Sequence, residues 1–516
     1  MLAEVTSHAP AGLEGEIVTV EVDIRRGLPG IEVIGLPDSA VKESKERVRI
    51  AIKNSGFEFP PDRITVSLAP GDIRKQGTSF DLPIALGVLC ASAQLSMQGC
   101  GGVMVLGELN LSGTVRPVRG VLSAVASGVQ HGVATFFVPT ENVPEARALR
   151  RGTICGVACL RDVGAELERI RSGRPLAEEG SDGAAEEEPD CAAVEDMADI
   201  KGHEELKRAL EVAAAGRHHL LLFGPPGSGK TMAARRLPGI LPPLEWEESL
   251  TVTRIHSLAG ALGSRQGLIR RSPFRMPHHS ASAEGIVGGA SNPRPGEISL
   301  AHAGVLFLDE APEFRKCILQ ALREPIEEGR ITIARAGTSV MYPAAFQLVL
   351  AANPCPCGQL GQPEARCVCT GTEIDGYWRR IGGALLDRID IRLPVLPVPA
   401  SRMLEPPAEG SREIALRVAE CVQRQRARYA GLGFSRNGSI PPGLLLRYCT
   451  LEPAAEALFP ELMRRLGCSS RASHSILRIA RTIADLAGRE RIGERELLEA
   501  AEYRRHGQAD FAKLFG

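Results

Sequence analysis

The sequence predicts an α/β protein: a phosphate-binding core, a mixed α/β domain ahead of it and a helical domain behind it. Three observations carry that prediction. Residues 224–231 read Gly-Pro-Pro-Gly-Ser-Gly-Lys-Thr, a match to GxxxxGK[ST]. Residues 305–310, Val-Leu-Phe-Leu-Asp-Glu, end an apolar run on two carboxylates. Between 172 and 198, nine acidic residues stand against one Arg, with Gly, Ala and Pro and almost no bulky apolar side chain. Such a stretch cannot bury enough surface to offset its ordering entropy. It reads as a flexible linker, with a functional acidic segment as the other reading. The expected organisation is an N-terminal domain at 1–171, the linker at 172–198, the core at 199–398 and a C-terminal helical lid at 399–516.

In the N-terminal domain, Val18, Val20, Val22 and Ile24 alternate with Thr19, Glu21 and Asp23, the period of a half-buried strand. Ile64, Val66 and Leu68 repeat it. Between them Ser39–Asn54 has helical spacing, and Gly56 is its stop. The longest apolar run, 82–95, is too short to span a bilayer and reads as a core helix. In the core, Leu220–Phe223 predicts a buried strand and 232–236 the opening of a helix. Residues 313–328 read as one helix. Residues 330–336 then alternate, Gly337 turns, and 339–342 return as a hairpin. Prolines 394, 397, 399, 406 and 407 mark the border of the last domain. There Ile414, Val418 and Val422 share one helix face, and Ile476, Ile479, Ile483 and Ala487 share another.

Composition excludes some classes. With 61 Lys+Arg against 62 Asp+Glu, no general affinity for polyanions follows, and any nucleic-acid surface must be local. From residue 410 onward 18 basic residues stand against 12 acidic ones, which is more often a solvated surface than a DNA site. The thirteen cysteines are scattered except for one cluster, which fits a reducing compartment better than a disulfide framework. No N-terminal signal pattern is present, so the expectation is a cytoplasmic protein without a membrane partner.

The loop at 224–231 carries the chemistry. Gly224, Pro225, Pro226, Gly227, Ser228 and Gly229 form a turn whose glycines let the backbone N–H groups of its non-proline residues face phosphates. Lys230 reaches the β- and γ-phosphates of ATP, and the Thr231 hydroxyl is a ligand for Mg²⁺. Asp309, at a strand end, is the second Mg²⁺ ligand, and Glu310 is placed to polarise an attacking water. Together they predict an ATP hydrolase.

The four cysteines Cys355, Cys357, Cys367 and Cys369 fall within fifteen residues as Cys-Pro-Cys-Gly and Cys-Val-Cys. Two close pairs can enclose a structural Zn²⁺, fixing an otherwise unsupported loop. Reduced free thiols are the alternative. With no ligand position to spare, catalysis at such a metal is not expected.

Further motifs carry a resemblance. Residues 275–282 read Arg-Met-Pro-His-His-Ser-Ala-Ser, 295–299 Pro-Gly-Glu-Ile-Ser and 385–390 Leu-Leu-Asp-Arg-Ile-Asp. With Gly-Leu-Pro-Asp-Ser-Ala-Val-Lys-Glu-Ser at 35–44, they resemble the YifB/ComM family of magnesium-chelatase-like AAA+ ATPases. The resemblance spans nearly the whole chain except the linker. It implies a homo-hexameric ring with ATP between subunits. On that pattern Asn353 resembles sensor 1, Arg388 the arginine finger given to the neighbouring site, and Arg471 the sensor 2 arginine of the lid. The hairpin resembles one that helicase relatives project into a pore. There Arg335 is either a phosphate contact or an exposed structural residue. His278 and His279 are expected to shape a loop or the pore. With Gly77-Thr78-Ser79 where that family's nucleophile turn would fall, and Gly107-Glu108-Leu109 and Pro117-Val118-Arg119-Gly120 following, residues 71–140 resemble the proteolytic domain of Lon, of the ribosomal S5-type α/β fold. A Ser-Lys peptidase needs a lysine amine beside its serine, and from Gln76 to Ile200 there is none. The domain is therefore expected to be a scaffold or binding module.

The resemblance implies a DNA motor acting on single-stranded or branched DNA. Its task would be branch migration of recombination intermediates in natural transformation, alongside recombination proteins. The alternative is a remodelling or chelatase-type motor acting on a protein or a metal-insertion complex.

Overall fold

The computed structural model describes residues 2–172, 195–263, 267–289, 294–335, 338–362, 366–403 and 409–505. The expected linker lies outside the described residues except for Ser172 and 195–198. Those last four are not linker-like. Met197 is fully buried, its N–H donates to Ser411 Oγ at 2.8 Å, and Asp196 accepts the Ser411 N–H at 2.9 Å.

The N-terminal region folds around a seven-stranded mixed sheet. Its order is Gly30–Ile34, Arg63–Ala69, Glu16–Arg25, Leu2–Ala9, Val103–Val105, Thr135–Pro139, Thr153–Val157. Val18, Val20 and Val22 share one buried face with Ile64, Val66 and Leu68, as their alternation requires, while Ile24 is only partly buried. The helix Asp81–Ala91 lies on that face, apolar on every side and buried almost throughout, and ends four residues before the apolar run does. On the opposite face Met104, Phe136 and Val138 pack against the helix Val121–Gln130. Ser39–Asn54 is helical over the expected span. Asp38 caps it by accepting from Val41 N at 2.9 Å, and Gly56 leaves it at φ +84°.

The core is an all-parallel five-stranded sheet ordered Phe274–Arg275, Val305–Leu308, Gln347–Ala352, Leu220–Phe223, Ile391–Pro394. Leu220 and Leu222 face one side with Phe307 and Val349. There they join the helices Glu204–Gly216, Ser411–Arg428 and Ser470–Leu486 in one continuous hydrophobic cluster. Leu221 and Phe223 face the other side with Leu308, Leu350, Phe314 and Trp378. Ile414, Val418 and Val422 are buried together, as are Ile476, Ile479 and Ile483. Ala487 is exposed as the C-cap of its helix, outside that face.

Residues 313–328 are not one helix. A short 3₁₀ turn, Ala311–Glu313, is followed by helices Lys316–Ala321 and Arg323–Glu328. Pro325 has no N–H to give the Ala321 carbonyl and its ring crowds that carbonyl, so the helix breaks between them. Arg330–Arg335 and Thr338–Pro343 form the expected antiparallel hairpin. Ile331, Ile333, Val340 and Tyr342 bury one of its faces in the core. The Arg335 side chain lies outside the described residues.

The N-terminal region docks on the helix Trp246–Ala259 through a buried carboxylate. Glu145 Oε1 accepts from Ser257 Oγ at 2.5 Å and from Leu122 N at 2.8 Å, and Asn142 donates to Oε2 at 3.0 Å. The Gly120 N–H donates to the same Ser257 hydroxyl at 2.8 Å. Burial raises the Glu145 carboxyl's pKa, and these donors oppose the shift. No described helix is long and apolar enough to cross a membrane.

Among the C-terminal helices, Asp485 is a buried hub. Its carboxylate accepts from Arg428 at 2.5 and 2.7 Å, Arg481 at 2.9 Å and Asn437 at 2.8 Å. Removing one partner of such a buried network strands the other charges and costs about 3–5 kcal/mol. Asp485→Ala should therefore lower the urea midpoint of the helical region substantially. An unchanged midpoint by circular dichroism would show the hub to be dispensable.

Candidate nucleotide site

Three strand ends meet at one edge of the core sheet. Phe223 pairs with Ala352, so Gly224 and Asn353 emerge side by side, and Leu308 pairs with Leu350, so Asp309 emerges two residues lower on the neighbouring strand. Gly224 must be glycine for a reason of space. A Cβ there would sit 2.0 Å from the Val395 carbonyl oxygen, and its N–H donates to Ala352 O at 3.2 Å. Gly227 and Gly229 take left-handed conformations, at φ +78° and +91°, that turn the loop into the helix Lys230–Arg236.

The loop closes on its own lysine. Lys230 Nζ donates to the carbonyls of Gly224 at 2.6 Å and Pro225 at 2.8 Å. Burial pushes its pKa down to about 8, against the pull of Asp309 and Glu310. Thr231 Oγ1 donates to Asp309 Oδ2 at 2.8 Å, so a hydroxyl and a carboxylate oxygen converge where a hard cation would sit. Glu310 is exposed, has φ +50°, and donates its N–H to Asp309 Oδ1 at 3.0 Å. Lys230, Thr231, Asp309, Glu310 and Asn353 line one cavity of about 790 Å³ together with Pro226, Gly227, Ser228 and Gly229.

Some neighbours of this cavity carry no motif. Asp199, Lys201 and His203 line it from the stretch just ahead of the helix Glu204–Gly216. Partial burial lowers the His203 pKa. A His beside a Gly, outside any repeat, gives no periodic or spacing signal. His279, expected to shape a loop, stands beside the acidic pair. Its Nδ1 is 3.6 Å from Glu310 Oε2, and its ring centroid is 4.1 Å from that of His278.

The two arginines carried by the resemblance lie together elsewhere. Arg388 Nη2 is 2.7 Å and Arg471 Nη2 2.5 Å from the same oxygen, Glu327 Oε1. Neither lines the cavity around Lys230. Arg388 also donates to Ala384 O at 2.6 Å, while its buried Nε has no hydrogen-bond partner.

The four cysteines converge. Their sulfurs all lie within 4.8 Å of one another. In the N-terminal region no hydrogen bond joins the Ser79 hydroxyl to a lysine among the described residues. Lys75, the nearest lysine in sequence, instead donates to the Pro70 carbonyl.

Comparison with known proteins agrees with this architecture. The family described as "Magnesium chelatase, subunit ChlI" matches residues 196–403. "Subunit ChlI of Mg-chelatase" matches 20–142, and the ChlI C-terminal family matches 408–504. An uncharacterised protein of Mycobacterium tuberculosis is 42% identical over 98% of this chain and 99% of its own. YifB of Escherichia coli, also uncharacterised, is 41% identical over 98% of this chain and 97% of its own. The competence protein ComM of Haemophilus influenzae is 39% identical over the same shares, 98% and 97%. A shorter similarity, 27% over 146 residues, is to a Lon protease of Mycolicibacterium smegmatis, in keeping with the N-terminal α/β domain. Matched from end to end by these relatives, the chain belongs to the YifB/ComM family of magnesium-chelatase-like AAA+ proteins.

Proposed function

We propose that the protein is an ATP-driven motor, working as a homo-hexameric ring that moves branched or single-stranded DNA. The observation that carries the hydrolysis is the convergence of Lys230, Thr231, Asp309, Glu310 and Asn353 on one cavity at the sheet edge. The oxygen pair of Thr231 and Asp309, 2.8 Å apart, fits Mg²⁺, which prefers hard oxygen ligands. Bound there, the ion would neutralise charge between the β- and γ-phosphates.

The remaining steps belong to the chain. The Lys230 ammonium leaves the Gly224 and Pro225 carbonyls for phosphate oxygens. The Glu310 carboxylate polarises the attacking water, and the Asn353 amide orients it. Arg388 of the partner subunit supplies positive charge to the transferring phosphoryl group. The ring is favoured because Arg388 lies outside the cavity of its own chain, held at Glu327 with a spare Nε–H. Arg471, on the same carboxylate, is proposed to sense nucleotide across that boundary. The DNA reading draws on the competence protein among the relatives and on the hairpin that carries Arg335. Branch migration of recombination intermediates is the task it supports best. A chelatase-type or protein-remodelling motor is the second reading, favoured by the ChlI description of all three matching families. Zinc at the four thiols has no part in the hydrolytic steps.

ATPase rate measured against single-stranded, forked and four-way DNA separates the two readings. Stimulation by branched DNA with ATP-dependent strand displacement is expected; indifference to every DNA would overturn the DNA motor. Arg388→Ala should bind ATP yet hydrolyse it about 1,000-fold more slowly. Mixing it with Lys230→Ala should restore part of the activity, because each variant supplies what the other lacks; mixed rings as inactive as either parent would place Arg388 outside the reaction.

A pH dependence also follows. Lys230 has a pKa of about 8 in the free protein, and phosphates must raise it, so binding takes up a proton. Nucleotide affinity should be flat below pH 8 and fall about tenfold per pH unit above it. A titration by intrinsic or nucleotide fluorescence from pH 7 to 9.5 reads this directly, and a flat curve would contradict it.

A further inference from the structure

We infer that Cys355, Cys357, Cys367 and Cys369 hold one structural zinc ion, and that the loop it closes braces the wall of the nucleotide cavity. The metal site stands without the ATPase reading. Its coupling to nucleotide rests on that reading.

The geometry of the sulfurs favours a single ion. A tetrahedral ion with Zn–S bonds of about 2.3 Å sets its sulfurs roughly 3.8 Å apart. Cys355 Sγ lies 3.4 Å from Cys357 Sγ and 3.7 Å from Cys367 Sγ, and the latter two are 3.7 Å from each other. Three near-equal separations make one face of a tetrahedron, and Cys369 completes the set within 4.8 Å. Disulfides would instead draw the sulfurs into two bonded pairs near 2.05 Å. An iron–sulfur cluster places its own sulfides between the cysteines and needs them farther apart. Four thiolates without carboxylate or imidazole suit Zn²⁺ over Mg²⁺ or Ca²⁺, and leave no open position for catalysis. The Leu360 N–H points at Cys355 Sγ at 3.4 Å, the kind of donor that steadies a metal-bound thiolate.

The segment has little else to hold it. Between the strand Gln347–Ala352 and the helix Gly371–Ile381 the described residues form no regular element. An irregular loop of this length needs a cross-link to keep one shape, and a structural metal supplies it.

The braced loop touches the phosphate loop. Asn353, two residues before Cys355, lines the cavity. Gly358, one residue after Cys357, is buried at φ +75°, so close that a Cβ there would lie 2.9 Å from Pro226 Cγ and 4.0 Å from Asn353 Nδ2. Trp378 Nε1 donates to the Pro354 carbonyl at 3.1 Å, and its ring meets Phe223 edge-on with centroids 6.0 Å apart. Phe223 is the residue that launches the phosphate loop. The metal loop is thus wedged between Pro226 on one side and Trp378 on the other, with Asn353 at its root. Losing the ion frees Gly358 and Asn353 to shift, and a displacement near 1 Å in a reacting site costs up to about 100-fold.

The test uses the full chain, purified under reducing conditions and without chelator. Metal analysis should find about one zinc per chain. Replacement by Co²⁺ should give the intense visible bands of tetrahedral thiolate coordination. No zinc after reconstitution, or cobalt spectra without thiolate bands, would overturn the site. Cys367→Ser/Cys369→Ser should lose the metal and weaken nucleotide binding at least about tenfold. Because that variant can fail to fold, zinc is also withdrawn from the unmodified chain with chelator and then restored; binding should fall and recover. Gly358→Ala keeps all four thiols and should retain zinc while weakening nucleotide binding. Zinc retained with unchanged nucleotide affinity in Gly358→Ala, or affinity indifferent to zinc removal, would overturn the coupling. A zinc-loaded chain that binds no nucleotide at all would count against the ATPase reading and leave the metal site intact.

Discussion

The register of three parallel strands is the constraint on which the rest of the molecule depends. Leu222 pairs with Ala351 and Phe223 with Ala352, while Phe307 pairs with Val349 and Leu308 with Leu350. This alignment ends Leu220–Phe223 and Gln347–Ala352 together and Val305–Leu308 two residues earlier, so Gly224, Asn353 and Asp309 all follow at the same carboxyl edge. Ligands of open parallel sheets gather at such carboxyl ends. The same register sends Leu220 and Leu222 to one cluster and Leu221 and Phe223 to the other. A slip of one residue would exchange the side chains sent to the two clusters, force Phe223 into the space of Leu222, and move Asp309 away from Thr231. Burial on two sides therefore holds the chemistry in place without any contact made for that purpose.

What could be read from the sequence follows from which forces leave a local trace. The loop at 224–231, its strand, its helix and the acidic pair were legible because their spacing is local and their chemistry narrow. The strand periodicities at 18–22 and 64–68 were legible for the same reason, as was the helix Ser39–Asn54 with its cap. The run 313–328 misled, because Pro325 has no N–H for the Ala321 carbonyl and so splits the run at Leu322, three residues before the proline itself. The edge strand Gly30–Ile34 gave no warning, since partial burial leaves weak alternation. Asp199, Lys201 and His203 reach the cavity only through tertiary folding. Glu327 was invisible as the shared anchor of Arg388 and Arg471, because an ion pair across 61 positions from Arg388 and 144 from Arg471 has no sequence period.

The helical region is not an appendage. Ile414, Val418, Ile476 and Ile479 share one hydrophobic cluster with Leu220, Leu222 and Val349 of the sheet, so the core and these helices fold as one packed body. The N-terminal region is attached differently: Leu13 packs against the core and Arg150 lies 4.8 Å over the Trp246 ring, but its buried anchor is the Glu145 carboxylate on Ser257. An apolar seam tolerates small sliding, whereas a buried, fully donated carboxylate holds one geometry or breaks. Motion between the N-terminal region and the core therefore must be concerted with loss of that contact.

On the proposed ring, Glu327 would keep an arginine ready for a neighbour's phosphate. It offers one oxygen to two guanidinium groups, and its side chain is 44% exposed. The Arg471 side chain is 45% exposed, so water screens its pair and leaves about 0–1 kcal/mol, whereas the Arg388 side chain is only 14% exposed. Two cations on one carboxylate leave net positive charge, and the Arg388 Nε–H is buried without an acceptor. On the proposed ring, an incoming phosphate would satisfy that donor and bring charge to match the second cation. On that reading the contact orients Arg388 in the isolated chain, and its release to a neighbour's phosphate would be favoured by both the unpaired donor and the excess charge.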